Sequence, residues 1–260
     1  MNRVRVTAAS AALFLLIGSG QVIADNHEDE SDVEFIPIEI WACNFEEGKG
    51  PDDLNAVNAK WNALMDEQDV TDYFAALMYP NFHNDIGFDV AWIGGWPNGN
   101  AMGAGIDMLW EDDETNADYD AVLDCPSHSL FASVQMKDPG DSGEDDGNFV
   151  LSFSNCSIGE GKTMDDVRAA QEAWNAYADE NGFKGGAWYF WPVWGAPQDA
   201  DYDFKIVGSA PNYTTVGSNF QLMADGHWRK SQEIWSDTLD CDSNRIYSTK
   251  MVRRMADDDE

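Results

Sequence analysis

Two lysines occupy the same short context, Glu47-Gly48-Lys49 and Glu160-Gly161-Lys162, each just ahead of an Asp-Asp pair. A cation at the start of a helix, beside unpaired backbone N–H groups, is a place where an anion can be held. The plainer alternative is that Gly48 and Gly161 form the turn while the lysines offset the neighbouring acids. A Walker-type phosphate loop is excluded, because the upstream glycine of that motif is missing. Asp89 and Asp203 interrupt two apolar runs at matching positions. Either they act as general bases in a desolvated setting, or they sit at the wet end of a strand with no chemical role.

The run Trp188-Tyr189-Phe190-Trp191 gives a third candidate. In a strand, alternation sends Trp188 and Phe190 to one face and Tyr189 and Trp191 to the other. Two apolar faces fit a strand covered on both sides. An aromatic ligand pocket lined by Trp188, Phe190 and Trp191 needs the same residues. Trp61-Asn62 and Trp174-Asn175 read as helix positions, with the tryptophans packing a core and the asparagines bonding nearby backbone. The histidines, His27, His83, His128 and His227, have no metal-ligand spacing and no partners at the repeat distance, so zinc, a duplicated heme site and any other cofactor are not expected. A single site using His83 or His227 stays open. No Gly-x-Ser-x-Gly or Cys-x-x-Cys occurs, which removes the usual serine nucleophile and thioredoxin-like chemistry.

These residues recur because the chain repeats itself. Cys43–Ala63 aligns with Cys156–Ala176 without a gap, identical at 10 of 21 positions, where chance gives about one or two. The match resumes at Pro80/Pro192, at Gly94, Pro97 and Asn98 against Gly208, Pro211 and Asn212, and at Leu123-Asp124-Cys125 against Leu239-Asp240-Cys241. Within each copy the periodicity predicts a strand ending at Cys43 or Cys156. A helix follows, opened by Gly50-Pro51 in one copy and by a Thr163/Asp166 capping box in the other. Two strands come next, over Tyr73–Tyr79 and Phe88–Ile93, or Ala187–Trp191 and Tyr202–Val207. The glycine-containing stretches Gly103–Trp110 and Gly217–Ala224 are expected to open with a short strand. A second helix near Ala117–Asp124 or Lys230–Leu239 precedes a last strand at Leu130–Met136 or Arg245–Met251.

The order β-α-β-β-α-β is the split βαβ, ferredoxin-like arrangement, whose usual sheet order is 4-1-3-2. That order sets the last strand beside the first. It therefore selects bridges Cys43–Cys125 and Cys156–Cys241 from the three possible pairings of four cysteines.

The N-terminus carries Arg3 and Arg5, an apolar stretch Ala8–Ile17 and the small-residue site Val22-Ile23-Ala24, which reads as a signal peptide cleaved near Ala24. A periplasmic or secreted location fits four paired cysteines. The formal charge of -33 repels phosphate backbones and anionic bilayers, so neither nucleic acid nor membrane is an expected partner. The expected division is a signal peptide over 1–24, an acidic run over 25–33, modules over 34–137 and 148–254 joined by a Gly/Asp linker at 138–147, and an acidic tail over 255–260.

An α+β chain of two tandem ferredoxin-like (βαββαβ) modules resembles the dimeric α/β-barrel superfamily, which includes antibiotic-biosynthesis-monooxygenase-type domains, with both partners fused into one chain. The resemblance implies a single-chain pseudo-dimeric α/β barrel with helices outside, in which a monomer is already complete. Members include cofactor-independent oxygenases, heme-dependent enzymes and isomerase-like proteins. The leading expectation is a binder of a small apolar or aromatic molecule. The alternatives are an oxygenase- or isomerase-like enzyme using Asp89 or Asp203 as base, with Lys49 or Lys162 holding an anion, and a purely structural extracytoplasmic role.

Overall fold

The computed structural model describes residues 34–84, 87–140, 147–197 and 200–255. The expected signal peptide, acidic N-terminal run and most of the linker and tail lie outside the described residues. The first half runs β1 (Ile36–Phe45), α1 (Pro51–Glu67), β2 (Phe74–Phe82), β3 (Val90–Gly95), α2 (Gly99–Glu111), α3 (Asp113–Asp120) and β4 (Leu123–Lys137). The second runs β5 (Asn148–Ile158), α4 (Met164–Glu180), β6 (Gly186–Trp194), β7 (Phe204–Ala210), α5 (Tyr213–Leu222), a π-helical turn at Met223–His227, α6 (Trp228–Trp235), β8 (Leu239–Cys241) and β9 (Arg245–Arg253).

All strand pairings are antiparallel. In the first half the strands lie in the order β4-β1-β3-β2; in the second, β9 and β8 share one edge of β5, whose other edge pairs with β7, and β7 pairs with β6. The halves join edge to edge through β4–β6 and β2–β9, so eight strands close into a barrel. Closure pairs the barrel strands on both sides over most of their length, while β8 pairs with β5 alone.

Alternation along each strand sorts side chains between interior and exterior. Inside, Ile38, Ala76, Met78, Ala91, Ile93, Phe131, Leu151, Phe153, Phe190, Val207 and Tyr247 form one cluster. Outside, α1 covers the first half: Leu54 and Val57 meet Cys43, Leu77 and Val90, while Trp61 and Met65 meet Tyr73, Ala75 and Trp96. On the second half, Val167 of α4 seals Cys156, Tyr189 and Phe204. Both disulfides form as expected, Cys43–Cys125 tying β1 to β4 and Cys156–Cys241 tying β5 to β8.

The helix starts follow local chemistry. Gly50 is the N-cap of α1 with Pro51 after it, and Thr163 and Asp166 close a capping box on α4. Two expectations are corrected. The helices expected over Ala117–Asp124 and Lys230–Leu239 end at Asp120 and Trp235, with Leu123 and Leu239 already in strands. Gly103–Trp110 and Gly217–Leu222 are helical throughout and hold no strand. Asn98 and Asn212 start these helices by accepting bonds from Ala101 N at 3.0 Å and Thr215 N at 2.9 Å. Gly105 lets α2 lie against the outer sheet face, since a Cβ there would fall 1.9 Å from the Trp96 ring.

Candidate functional site

The barrel interior is unevenly filled. Around Phe131, Phe153 and Tyr247 aromatic rings occupy it, with Phe153 edge-on to Phe190 and to Tyr247. Toward the mouth where β1, β2, β5 and β6 begin, the interior positions include Ser133, Ser209 and Thr249 instead of large side chains. There a cavity of about 550 Å³ remains, to which all eight barrel strands contribute. Its walls are mainly apolar: Ile36, Ile38, Phe74, Ile93, Trp188 and Phe190. Gly95 permits this wall, because a Cβ on it would meet Phe74 Cε1 at 2.2 Å and Ile38 Cδ1 at 2.7 Å.

Few polar groups reach the cavity. Ser133 and Thr249 are each 3% exposed, and Thr249 Oγ1 has no hydrogen-bond partner. An unpaired buried hydroxyl costs roughly 1–3 kcal/mol. Ser209 Oγ accepts from Gly186 N at 3.2 Å. Tyr213 closes one side of the mouth, its hydroxyl 2.9 Å from both Asn81 Nδ2 and Ser248 Oγ. Pro139 and Asn148 from the junction between halves, and Arg254 and Met255 beyond β9, complete the rim.

Of the residues singled out in the sequence, Trp188 and Phe190 line this cavity. Trp191 faces the other way, against Tyr189 and Phe204 beneath α4 and edge-on to Phe35. Lys49 and Lys162 lie at the strand-to-helix turns outside the barrel, with Lys49 Nζ 3.4 Å from Asp53. Asp89 accepts from Phe45 N at 3.0 Å and Asp203 from Ile158 N at 2.8 Å. Each carboxylate thus fastens the start of β3 or β7 to the end of β1 or β5. Asn62 and Asn175 donate to Val252 O at 3.0 Å and Met136 O at 2.7 Å, so each reaches the last strand of the opposite half. Trp61 is buried edge-on to Tyr73 and Trp92, and Trp174 packs on Tyr177 and Phe183.

A second polar cluster escaped the sequence reading. Glu39, 6% exposed, lies on the outer face of β1. It accepts from Tyr73 Oη at 2.7 Å and Trp41 Nε1 at 3.2 Å, and pairs with His128 Nε2 at 3.0 Å. Trp92 Nε1 donates to Tyr73 Oη at 2.9 Å, and the Trp41 and His128 rings stack at 3.5 Å. Burial pushes the Glu39 carboxyl up, but the bonds from His128, Tyr73 and Trp41 outweigh it and hold the group below its ordinary value. The same burial, with the Glu39 charge beside it, raises the Tyr73 phenol far above its usual range. Gly94 makes room for this contact, since a Cβ there would lie 1.7 Å from Tyr73 Oη. The signal in the sequence is a lone carboxylate on the strand face that also carries Trp41 and Cys43.

No known family profile matches the chain, and no curated protein sequence does. Solved structures do resemble it. A mutant chlorite dismutase from Candidatus Nitrospira defluvii is 7% identical with a TM-score of 0.51, covering 84% of this chain and 92% of that one. A heme-binding protein from Thermus thermophilus is 7% identical with a TM-score of 0.50, covering 83% and 91%. The likeness is one of fold. At this identity it shows a shared barrel architecture and extends no further. Among the described residues, no helix is long and apolar enough to cross a membrane.

Proposed function

We propose that this chain binds one small apolar or aromatic molecule inside its barrel. The observation that carries the reading is the cavity: about 550 Å³, walled by Ile36, Phe74, Trp188 and Phe190, with an unpartnered Thr249 hydroxyl among its lining residues. Small-molecule sites are mostly apolar with a few fixed polar groups, and this one has that composition. The molecule best suited is compact, with an apolar body and one group that hydrogen-bonds a hydroxyl.

The frame for this site is a duplicated ferredoxin-like module, residues 34–137 and 148–254, fused so that one chain supplies both halves of a pseudo-dimer. The repeat in sequence and the matching strand orders support it. Export to the periplasm or outside is favoured by the N-terminal signature and by two disulfides, which persist in oxidising compartments. The acidic surface disfavours nucleic acid and anionic membranes as partners.

Heme, named for one structural neighbour, does not suit this cavity. An axial ligand is needed on its wall, yet its lining includes no histidine and no cysteine, and its tyrosine, Tyr213, is engaged by Asn81 and Ser248. That leaves the thioethers of Met251 and Met255, a ligand type that pairs with histidine on heme iron. His128 is tied to Glu39, and His227 Nδ1 lies 2.6 Å from Tyr177 Oη, both away from the barrel interior.

Titration with the neutral fluorophore N-phenyl-1-naphthylamine tests the proposal. Saturable binding near one equivalent is expected, with energy transfer from tryptophan. Ile36→Trp, which fills the wall, weakens binding about ten-fold or more, as a lost 1.4 kcal/mol would. Binding that is absent, or indifferent to this substitution, rejects the cavity as the site.

A further inference from the structure

The opposite mouth of the barrel, where β3, β7 and β9 begin, has a different chemistry. Lys205, the second residue of β7, shares the interior face with Val207 and Ser209 by strand alternation. Its Nζ lies 4.2 Å from the centre of the Tyr202 ring and 5.8 Å from that of Phe131, and it donates to Asn155 Oδ1 at 2.6 Å. Arg245, at the start of β9, stands close enough to repel it, while Asp242 is committed to Arg245 at 2.6 Å. Among the described residues, no carboxylate forms an ion pair with Lys205. The seven other lysines are Lys49, Lys60, Lys137, Lys162, Lys184, Lys230 and Lys250. Several of these sit on the surface beside acids, as Lys49, Lys60 and Lys230 do.

We propose that Lys205 is a nucleophilic amine that captures an aldehyde or ketone as an imine at this mouth. Two features that activate a lysine coincide there: removal from water between aromatic rings, and a neighbouring cation. Desolvation first, and the Arg245 charge second, push its pKa down to about 8, against a smaller opposing pull from Asp242. At neutral pH about a tenth of such a group is the free amine, against less than about a thousandth for an ordinary lysine. The contacts with the Tyr202 ring and Asn155 favour the ammonium form, but Asn155 also aims the nitrogen. The free amine attacks the carbonyl carbon, and the C–O π electrons move to oxygen. The resulting carbinolamine loses water: both amine hydrogens leave with that oxygen as the C=N bond forms. No oxidant or reductant takes part. An aromatic carbonyl compound suits Tyr202 and Phe131 best.

Benzaldehyde with sodium cyanoborohydride, which reduces an imine to a stable secondary amine, provides the test. Folded full-length protein is labelled with limiting reagent across pH 6.5–10, and peptide mapping reads each amine separately. Lys205 is expected to be labelled about ten-fold or more faster than any other lysine at pH 7.5, with a midpoint near 8. Arg245→Gln should shift that midpoint upward and slow labelling at pH 7.5 several-fold, while Lys205→Arg removes the adduct. Equal labelling of all lysines, or Lys205 among the slowest, overturns the proposal. The wild-type map decides this even if a variant fails to fold, and it is independent of ligand binding in the apolar cavity.

Discussion

Glu39 takes three donors at once, which makes the outer face of β1 dependent on one ionised carboxylate. Its folded-state pKa lies below its ordinary value, so its stabilising effect is present above the unfolded carboxylate value and is lost as pH falls through the folded one. Glu39→Gln should therefore cost about 1.5–3 kcal/mol near neutrality, and the gap to wild type should narrow below about pH 4. Thermal melts of both proteins across pH 3–7 measure this; a gap independent of pH would contradict it. Gly94→Ala belongs to the same cluster, because its methyl group collides with Tyr73 Oη. The cluster was not legible from the repeat, since Ser152 and Asn244 stand where the alignment puts Glu39 and His128. A residue present in one copy is invisible to an argument built on both. Lys205 was missed for a related reason: its chemistry comes from Tyr202, Asn155, Phe131 and Arg245, which different strands and loops bring together.

At the scale of elements, periodicity served best where a strand or helix has one buried stripe. Trp61 was expected to pack a core from its helix, and it does. Alternation set Trp188 and Phe190 on one face of β6, and both line the cavity, whereas Trp191, expected beside them, lies on the other face. Periodicity failed over α2 and α5. Gly99, Gly103 and Gly105 lower helix propensity by roughly 1 kcal/mol each relative to alanine, so that stretch reads as a poor helix. Contact with Trp96 compensates, and the stronger sequence signal was the N-cap: Asn98 and Asn212 match in the two copies. Asn98→Ala and Asn212→Ala should each cost about 1 kcal/mol. Chemical denaturation would register this as an earlier midpoint with an unchanged slope; no shift in either variant would mean these helices hold by packing alone.

Taken whole, the molecule is held shut by reciprocal contacts. Arg253, at the end of β9, reaches Asp66 of α1 at 2.8 Å, and Lys137, at the end of β4, pairs with Asp179 of α4. Asn62 and Asn175 make the same exchange with backbone oxygens. Half-exposed ion pairs of this kind contribute little individually, whereas the strand pairings they flank, β2–β9 and β4–β6, close the barrel. The strand order and both disulfides were readable because a repeated β-α-β-β-α-β pattern leaves few arrangements. The uneven filling of the interior was not, because it depends on which small residues meet across eight strands.

The rim of the apolar cavity is built from three parts of the chain far apart in sequence: Ile36 at the start of β1, Pro139 and Asn148 around the joint between halves, and Arg254 and Met255 just after β9. The first strand, the last strand and the joint therefore converge on one opening. A circularly permuted chain that begins at Asn148, runs through a short glycine-serine bridge from Met255 to Glu34 and finishes at Pro139 should assemble the same closed sheet. Its circular dichroism and elution volume should match those of the parent. If it aggregates, the covalent order of the halves matters to folding in a way their interchangeable geometry does not suggest.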